Sequence, residues 1–302
     1  MMQAQSSARP AWMERPSRTV LTAKFIVLAL IVVAVVYPFL SVIATSLASE
    51  QDITQGGGMV LWPAHPSFDA YTTIFSAGAV AHSIWVSVAI TAVGTLLSLA
   101  ITTMLAYACS RPILGGRLIL TMALLTLLFP PGIIPSYLVV KQLGLLNSYA
   151  SLILPVLLSA FNFVVLRQFF MNIPQELIDS ARIDGASDVS ILLKIVIPLS
   201  KPVLAVIALF YAVTTYWNSF FPALLYLSDT SKWPLQLVAR QYVLQGSPML
   251  GSTAYGAAAS APPPTQSLQM AVVVVAIVPI LVLYPFLQKY FTQGVLTGAI
   301  KG

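Results

Sequence analysis

The stretch NIPQELIDSARIDGASDVSILLKIVIPLSKP, residues 172–202, holds the one dense cluster of charges in a very apolar chain. Apolar runs long enough to cross a bilayer flank it on both sides. Acidic residues near a helix start, a glycine and two later prolines predict a short helix, a turn and a second helix on the membrane surface. We call residues 172–202 the charged segment. Its charged residues are Glu176, Asp179, Arg182, Asp184, Asp188, Lys194 and Lys201.

The composition is that of a membrane protein. Hydrophobic residues make up 58% of the 302-residue chain and charged residues only 8%, whereas a soluble domain of this length needs many more charges on its surface. A spanning helix takes about 20 apolar residues. We therefore predict an all-α fold with six membrane spans, numbered in chain order: Lys24–Leu47, His82–Ala108, Leu118–Val140, Ser151–Phe170, Val203–Leu227 and Met270–Phe291.

Lysine and arginine are distributed unevenly between the segments that alternate across the membrane. Of the 15, all but Lys141, Lys232 and Arg240 lie on the same side as the N-terminus. Because positive residues are enriched on the cytoplasmic side, both termini and the charged segment are predicted to be cytoplasmic. This predicts a cytoplasmic tail (1–23), a membrane domain (24–302) and a long outer loop (229–269), in which glycine and proline resist regular structure.

Several classes of function lack the residues they need. With one cysteine and two distant histidines, no metal site is predicted. The basic residues are scattered singly, which argues against nucleic-acid binding. No Ser/His/Asp or phosphate-loop pattern marks an enzyme or an ATPase. A secondary transporter, from a different class of function, is expected to carry ionisable residues within its spans, and these spans hold essentially none.

The charged segment resembles the EAA loop of permease subunits in ATP-binding-cassette (ABC) importers. That loop reads Glu-Ala-Ala, three residues, Gly, nine residues, Ile, one residue, Leu-Pro. This chain has Asp179-Ser180-Ala181, then Gly185, Ile195 and Ile197-Pro198, with the spacing intact. Two further stretches, Tyr216–Pro222 and Leu287–Gly302, are similar to the fifth helix and the C-terminus of sugar permeases.

The resemblance implies a MetI-like, binding-protein-dependent inner-membrane permease of a bacterial importer for oligosaccharides or polysaccharides, including uronate-containing ones. A permease for a non-sugar solute is the alternative within the same class. The resemblance also implies four kinds of partner: a second, unlike permease subunit, two ATPase subunits that bind ATP and Mg, a periplasmic or lipid-anchored solute-binding protein, and the sugar itself. The chain is expected to hold no cofactor, and membrane lipid surrounds it.

Three sets of site residues follow. In the family the short cytoplasmic helix docks on an ATPase, which assigns coupling to Glu176, Asp179, Ala181, Asp184, Gly185 and Ala186. Aromatic and amide side chains in the fifth span are candidates for a sugar pathway, and the alternative is that they pack between helices. These residues are Tyr216, Trp217, Asn218, Phe220 and Phe221. The loop before the last span contacts the binding protein in one sugar-permease family, or is a spacer here, and its candidates are Gly246, Gly251 and Tyr255.

Overall fold

The computed structural model describes residues 17–76, 78–245 and 265–299, and all regular structure within these ranges is helical. The α-helices before the charged segment are α1 (Arg18–Ser46), α2 (Glu50–Gln55), α3 (Asp69–Ser76), α4 (Ala79–Cys109), α5 (Gly116–Leu128), α6 (Ile133–Gln142), α7 (Ala150–Ile153) and α8 (Ala160–Met171). The helices that begin within the charged segment are α9 (Gln175–Ile183), α10 (Asp188–Ile191), α11 (Ile197–Leu199) and α12 (Lys201–Leu209). The helices after it are α13 (Phe220–Tyr226), α14 (Leu235–Gln245) and α15 (Thr265–Ala299). Leu192–Val196 and Phe210–Trp217 are π-helical, and Leu154–Val156 and Thr230–Lys232 are 3₁₀ turns.

Three of these helices, α1, α4 and α15, are long and apolar enough to cross a membrane without a break. Two further pairs of helices are apolar enough together but are bent at a short break, so that the described residues hold up to five candidate spans if each pair counts as one. The pairs are Ala150–Val156 with Ala160–Met171, bent by 48°, and Asp188–Leu199 with Lys201–Trp217, bent by 82°.

The third predicted span is interrupted. It consists of α5 and α6, which are separated at Phe129–Gly132. The 13 residues of α5 rise only about 20 Å, which is less than the ~30 Å of a bilayer core. Two prolines and Gly132, with a φ of 79°, cause the break. All six predicted apolar runs are helical, but half of them are broken.

Two parts of the structure differ from the prediction, namely the start of α1 and the segment 229–269 that is predicted to be an outer loop. Helix α1 begins at Arg18, six residues before the predicted Lys24, because the hydroxyl of Ser17 caps it by accepting the N–H of Val20. Within the outer loop, α14 is regular where irregular structure was expected. Its apolar side chains recur at helical spacing and are buried against α3, α4 and α15, which outweighs the nearby glycines and prolines. These side chains are Leu235, Val238, Ala239 and Tyr242.

The charged segment is packed onto one end of the helix bundle. Ile178 of α9 and Ile191 of α10 are fully buried, and they belong to one apolar cluster with Phe163 and Leu166 of α8. At the opposite end, α3, α14 and the start of α15 form a separate cluster. The charged segment is therefore held at a fixed position relative to the spans.

Candidate functional site

Helix α9 ends in a turn built on a glycine. Gly185 has a φ of 82°, which side chains other than glycine rarely adopt. Its N–H donates to the carbonyl of Arg182 (3.0 Å), and the N–H of Ala186 donates to the carbonyl of Ala181 (2.9 Å). These two bonds form a Schellman motif. The hydroxyl of Ser187 then caps α10, so the predicted helix, turn and second helix are confirmed.

Side-chain bonds hold this turn to the rest of the bundle. The guanidinium of Arg182 lies 3.2 Å from the carboxylate of Asp188 across the turn. Arg111, just beyond the end of α4, donates to the side-chain oxygen of Gln175 at 3.0 Å. Both pairs are partly exposed and contribute little stability on their own. The first pair links α9 to α10, and the second links α9 to the residue that follows Ser110 at the end of α4.

The predicted coupling residues fall into two groups. Glu176, Asp179, Asp184 and Gly185 are exposed, and a Cβ at Gly185 would meet nothing within 4 Å. Ala181 is only 9% exposed and packs against its own bundle, while Ala186 is half-buried. The exposed coupling residues of α9 and its turn therefore carry three carboxylates, with the exposed Arg182 beside them, and the buried Ala181 packs beneath.

Two apolar residues on this surface were not predicted. Leu177 is 46% exposed and Ile183 is 87% exposed, although both belong to α9. No sequence pattern separated Leu177 from its neighbour Ile178, because two adjacent residues of a helix can both face the core. Leu177 and Ile183 lie exposed beside the acidic residues, which makes this surface amphipathic.

The second half of the charged segment leads directly into the fifth span. After α10 the chain is π-helical to Val196 and then bends by 82° between Leu199 and Lys201. Pro202 lies in the first turn of α12, where a missing N–H costs least. One short connection through Ser200 thus joins the charged segment to the fifth span.

Two of the predicted pathway residues hold helices together. Tyr216 is 1% exposed, and its hydroxyl lies 2.6 Å from that of Ser98 on α4. Trp217 is 5% exposed, and its indole N–H donates to the carbonyl of Ala276 on α15 at 3.1 Å. The fit is close, because a Cβ on Gly94 would lie 2.5 Å from the Tyr216 ring.

The other predicted pathway residues reach the surface of the chain. Asn218 and Phe221 are exposed. Phe220 is half-buried beneath Arg240 of α14, whose guanidinium lies 4.7 Å from the centre of the ring. These three can meet a ligand, and their role in a pathway stays a prediction. Gly246, Gly251 and Tyr255 lie outside the described residues.

Comparison with known proteins identifies the family. Residues 98–297 match the family described as "Binding-protein-dependent transport system inner membrane component". The chain belongs to this family. Its members act as non-catalytic membrane subunits of ABC importers and carry no cofactor themselves. The importer as a whole combines such permeases with an ATPase and a solute-binding protein.

Relatives of known name agree. The chain is 46% identical to the "Polygalacturonan/rhamnogalacturonan transport system permease protein YtcP" of Bacillus subtilis (strain 168), over 88% of this chain and 93% of the relative. It is 44% identical to "Protein LplC" of the same organism, over 88% and 90%. The name of the first relative confirms the predicted permease family and the sugar-transport branch.

A solved structure confirms the fold. A bacterial ABC transporter "involved in the import of the acidic polysaccharide alginate" contains a chain that superposes with a TM-score of 0.85 at 30% identity. The likeness covers 92% of this permease and the whole of the other chain. The predicted MetI-like, all-α permease fold is therefore correct.

Proposed function

We propose that this permease is one of two unlike membrane subunits of an importer for uronate-containing oligosaccharides or polysaccharides. The observation that carries the proposal is its likeness, over about nine-tenths of its length, to permeases whose named substrates are polygalacturonan and alginate. Both substrates are polymers of uronic acids. The shared chemistry is a chain of pyranose rings with a carboxylate on each acidic unit.

The charged segment is proposed to couple transport to ATP hydrolysis. Two ATPase subunits bind ATP and Mg, and one of them receives α9. Glu176, Asp179 and Asp184 pair with basic groups of that subunit, while Leu177 and Ile183 enter an apolar cleft. Closure of the ATPase dimer then pulls on the 82° joint and tilts the fifth span. This arrangement places the charged segment and both termini in the cytoplasm.

The substrate is proposed to pass the outer half of the fifth span. Phe220 and Phe221 offer ring faces for the apolar side of a pyranose, and Asn218 offers an amide for its hydroxyls. Arg240, lying over Phe220, supplies a guanidinium for the uronate carboxylate. The buried Tyr216 and Trp217 hold this surface in position through their hydrogen bonds to α4 and α15. A periplasmic or lipid-anchored binding protein delivers the sugar to the loop that contains Gly246, Gly251 and Tyr255.

The test is ATP hydrolysis by the complete complex in liposomes, with the binding protein and either oligogalacturonides or neutral oligosaccharides of equal length. We expect stimulation that requires both the binding protein and the acidic sugar. Equal stimulation by neutral sugars would overturn the substrate class. Uptake driven by an ion gradient without ATP would overturn the importer itself.

Arg240→Gln tests the contact with the carboxylate, and Arg240→Lys is the matched control that keeps the charge. We expect Arg240→Gln to raise the concentration of acidic sugar needed for half-maximal stimulation by about tenfold, because a charged hydrogen bond contributes about 1.5–3 kcal/mol. The response of Arg240→Lys should lie between those of Arg240→Gln and the unchanged protein. An unchanged response in both variants would remove Arg240 from the pathway.

A further inference from the structure

A cavity opens between α4 and the second half of the charged segment. Its volume is about 930 Å³, and most of its wall is aliphatic. Met104 of α4 and Leu193 of the charged segment are 56% and 57% exposed, so the cavity is open at the surface of the chain. The aliphatic wall includes Leu96, Leu99, Met104, Leu192, Leu193 and Ile197.

Two hydrogen-bond donors at one end of this cavity lack an acceptor within the described part of the chain. Tyr107 is 7% exposed, and its hydroxyl has no partner. The buried Nε–H of Arg111 has none either, and the guanidinium of Arg111 lies 5.1 Å from the centre of the Tyr107 ring. A buried donor left unpaired is costly, so this end of the cavity favours a group with acceptor oxygens.

The charges at the same end favour an anion. Two guanidinium groups, Arg111 and Arg182, line the cavity together with one carboxylate, Asp188. Asp188 is already paired with Arg182 at 3.2 Å. Arg111 bonds a neutral amide, that of Gln175, so its charge is not neutralised by that contact. The polar end therefore carries a net positive charge beside an apolar wall.

The cavity extends along the end of a candidate spanning helix. Its wall follows α4, a spanning helix that ends at Cys109. The polar end lies at Tyr107 and Arg111, on either side of that helix end. The apolar wall lies within the span and suits an acyl chain. The cationic donors lie at the end of the span and suit a lipid headgroup. Basic pockets between spanning helices on the cytoplasmic side commonly bind anionic headgroups.

We propose that this cavity binds an anionic phospholipid, with a phosphate oxygen on the Tyr107 hydroxyl and the Arg111 Nε–H and an acyl chain along α4. A free phosphate ion would leave the apolar wall uncovered, and a saccharide has no acyl chain to cover a wall that is aliphatic along several turns of α4. The bound lipid would lie between α4 and the charged segment, beside the joint that leads into the fifth span.

Photocrosslinking in the assembled complex tests the site. Benzoylphenylalanine is introduced at Leu193, and at Leu30 on the exposed face of α1 as a control, in vesicles where phosphatidylglycerol is the minor lipid and phosphatidylcholine the major one. We expect adducts at Leu193 to be several-fold richer in phosphatidylglycerol than adducts at Leu30. Equal lipid composition at the two positions, no lipid adduct at Leu193, or an adduct to the second permease would each overturn the proposal.

Matched variants separate a headgroup site from a general surface charge. Tyr107→Phe keeps the ring beneath Arg111 and removes only the hydroxyl, and we expect it to reduce the enrichment at Leu193. Arg111→Gln should reduce it further. Arg117→Gln removes an exposed charge of α5 that does not line the cavity, and it should leave the enrichment unchanged. An equal loss with Arg117→Gln, or competition by inorganic phosphate, would contradict a lipid site.

Discussion

Two glycines show how the charged segment differs from the centre of the bundle. At Gly185 an added Cβ would meet nothing within 4 Å, and glycine is required there only by a φ of 82°. At Gly94 the backbone is ordinary helix, but a Cβ would lie 2.5 Å from the ring of Tyr216. The first region is an open surface available to a partner, whereas the second is filled by the chain itself. Substitutions should therefore impair coupling in the first region and stability in the second.

The largest effect is expected for Gly185→Asp. Aspartate, like asparagine, tolerates the left-handed backbone of Gly185 better than most residues do, so the main change is a carboxylate on the surface proposed to meet the ATPase. We expect transport and sugar-stimulated ATP hydrolysis to fall by about tenfold or more, because a carboxylate that loses water without gaining a partner costs several kcal/mol and 1.4 kcal/mol corresponds to a factor of ten. Co-purification of the ATPase with the permease should be retained.

Gly185→Asn is the matched control, because asparagine has nearly the same shape as aspartate, tolerates the left-handed region and carries no charge. We expect it to keep most of the activity. If Gly185→Asn were as inactive as Gly185→Asp, the turn geometry rather than the charge would be responsible. Full activity of Gly185→Asp would contradict docking at this surface.

Gly94→Ala should act on stability instead. The new methyl group would overlap the Tyr216 ring, and such overpacking costs about 1–3 kcal/mol. We expect a lower thermal unfolding temperature of the purified complex in detergent. Gly116→Ala is the control, since its Cβ would meet only the flexible side chain of Ile113 at 3.1 Å. Equal stability of the two variants would show that Tyr216 can move aside, and the centre would then be less closely packed than described.

Two buried tyrosines at the centre of the bundle differ in the number of hydrogen bonds that their hydroxyls make. The hydroxyl of Tyr211 lies 2.6 Å from that of Thr102 and accepts the N–H of Ser159, at the break of the fourth span, at 3.0 Å. The hydroxyl of Tyr216 has one such partner, Ser98. Because a hydrogen bond between membrane helices contributes about 0.6 kcal/mol on average, Tyr211→Phe should cost about twice as much as Tyr216→Phe. Detergent unfolding of the two variants measures this, and the reverse order would contradict it.

The charged segment could be predicted in detail because its structure is determined locally. A Schellman turn needs its glycine, acids favour the helix start and Pro202 favours the start of the next span, all within one stretch of chain. The burial of Tyr216 and Trp217 could not be predicted, because it depends on distant partners. Ser98 lies 118 positions from Tyr216, and no local pattern indicates that the ring of Tyr216 packs on Gly94 of α4.

The breaks in the spans could also be predicted only in part from the local sequence. The interruption between α5 and α6 has a local cause that is visible in the sequence, because Pro130-Pro131-Gly132 cannot continue a helix. The 82° bend before Lys201 also has a local signal, because Pro198 and Pro202 flank it, whereas the π-helical turns have no comparable signal in the sequence. Helix α14 is the opposite case, because its apolar spacing was visible in the sequence and was outweighed in the prediction by the surrounding glycines and prolines.

The smallest effect is expected at the end of the molecule opposite the charged segment, where the loop after α1 is held by Asp52. This carboxylate is 8% exposed and accepts the backbone N–H of His65 at 3.0 Å. That bond lowers the pKa of Asp52 below its ordinary 3.8. The stabilisation is therefore complete above about pH 4 and is lost only as the pH falls through the lower native pKa.

Asp52→Asn should loosen this loop at neutral pH. We expect faster hydrogen exchange of the His65 amide, with no change at Gly185 and no change in sugar-stimulated ATP hydrolysis. Glu50→Gln, an exposed acidic residue of the same helix, is the control and should leave the exchange unaltered. If Asp52→Asn lowered ATP hydrolysis, the two ends of the molecule would be coupled. The contrast between an open coupling surface and a purely structural opposite end would then have to be abandoned.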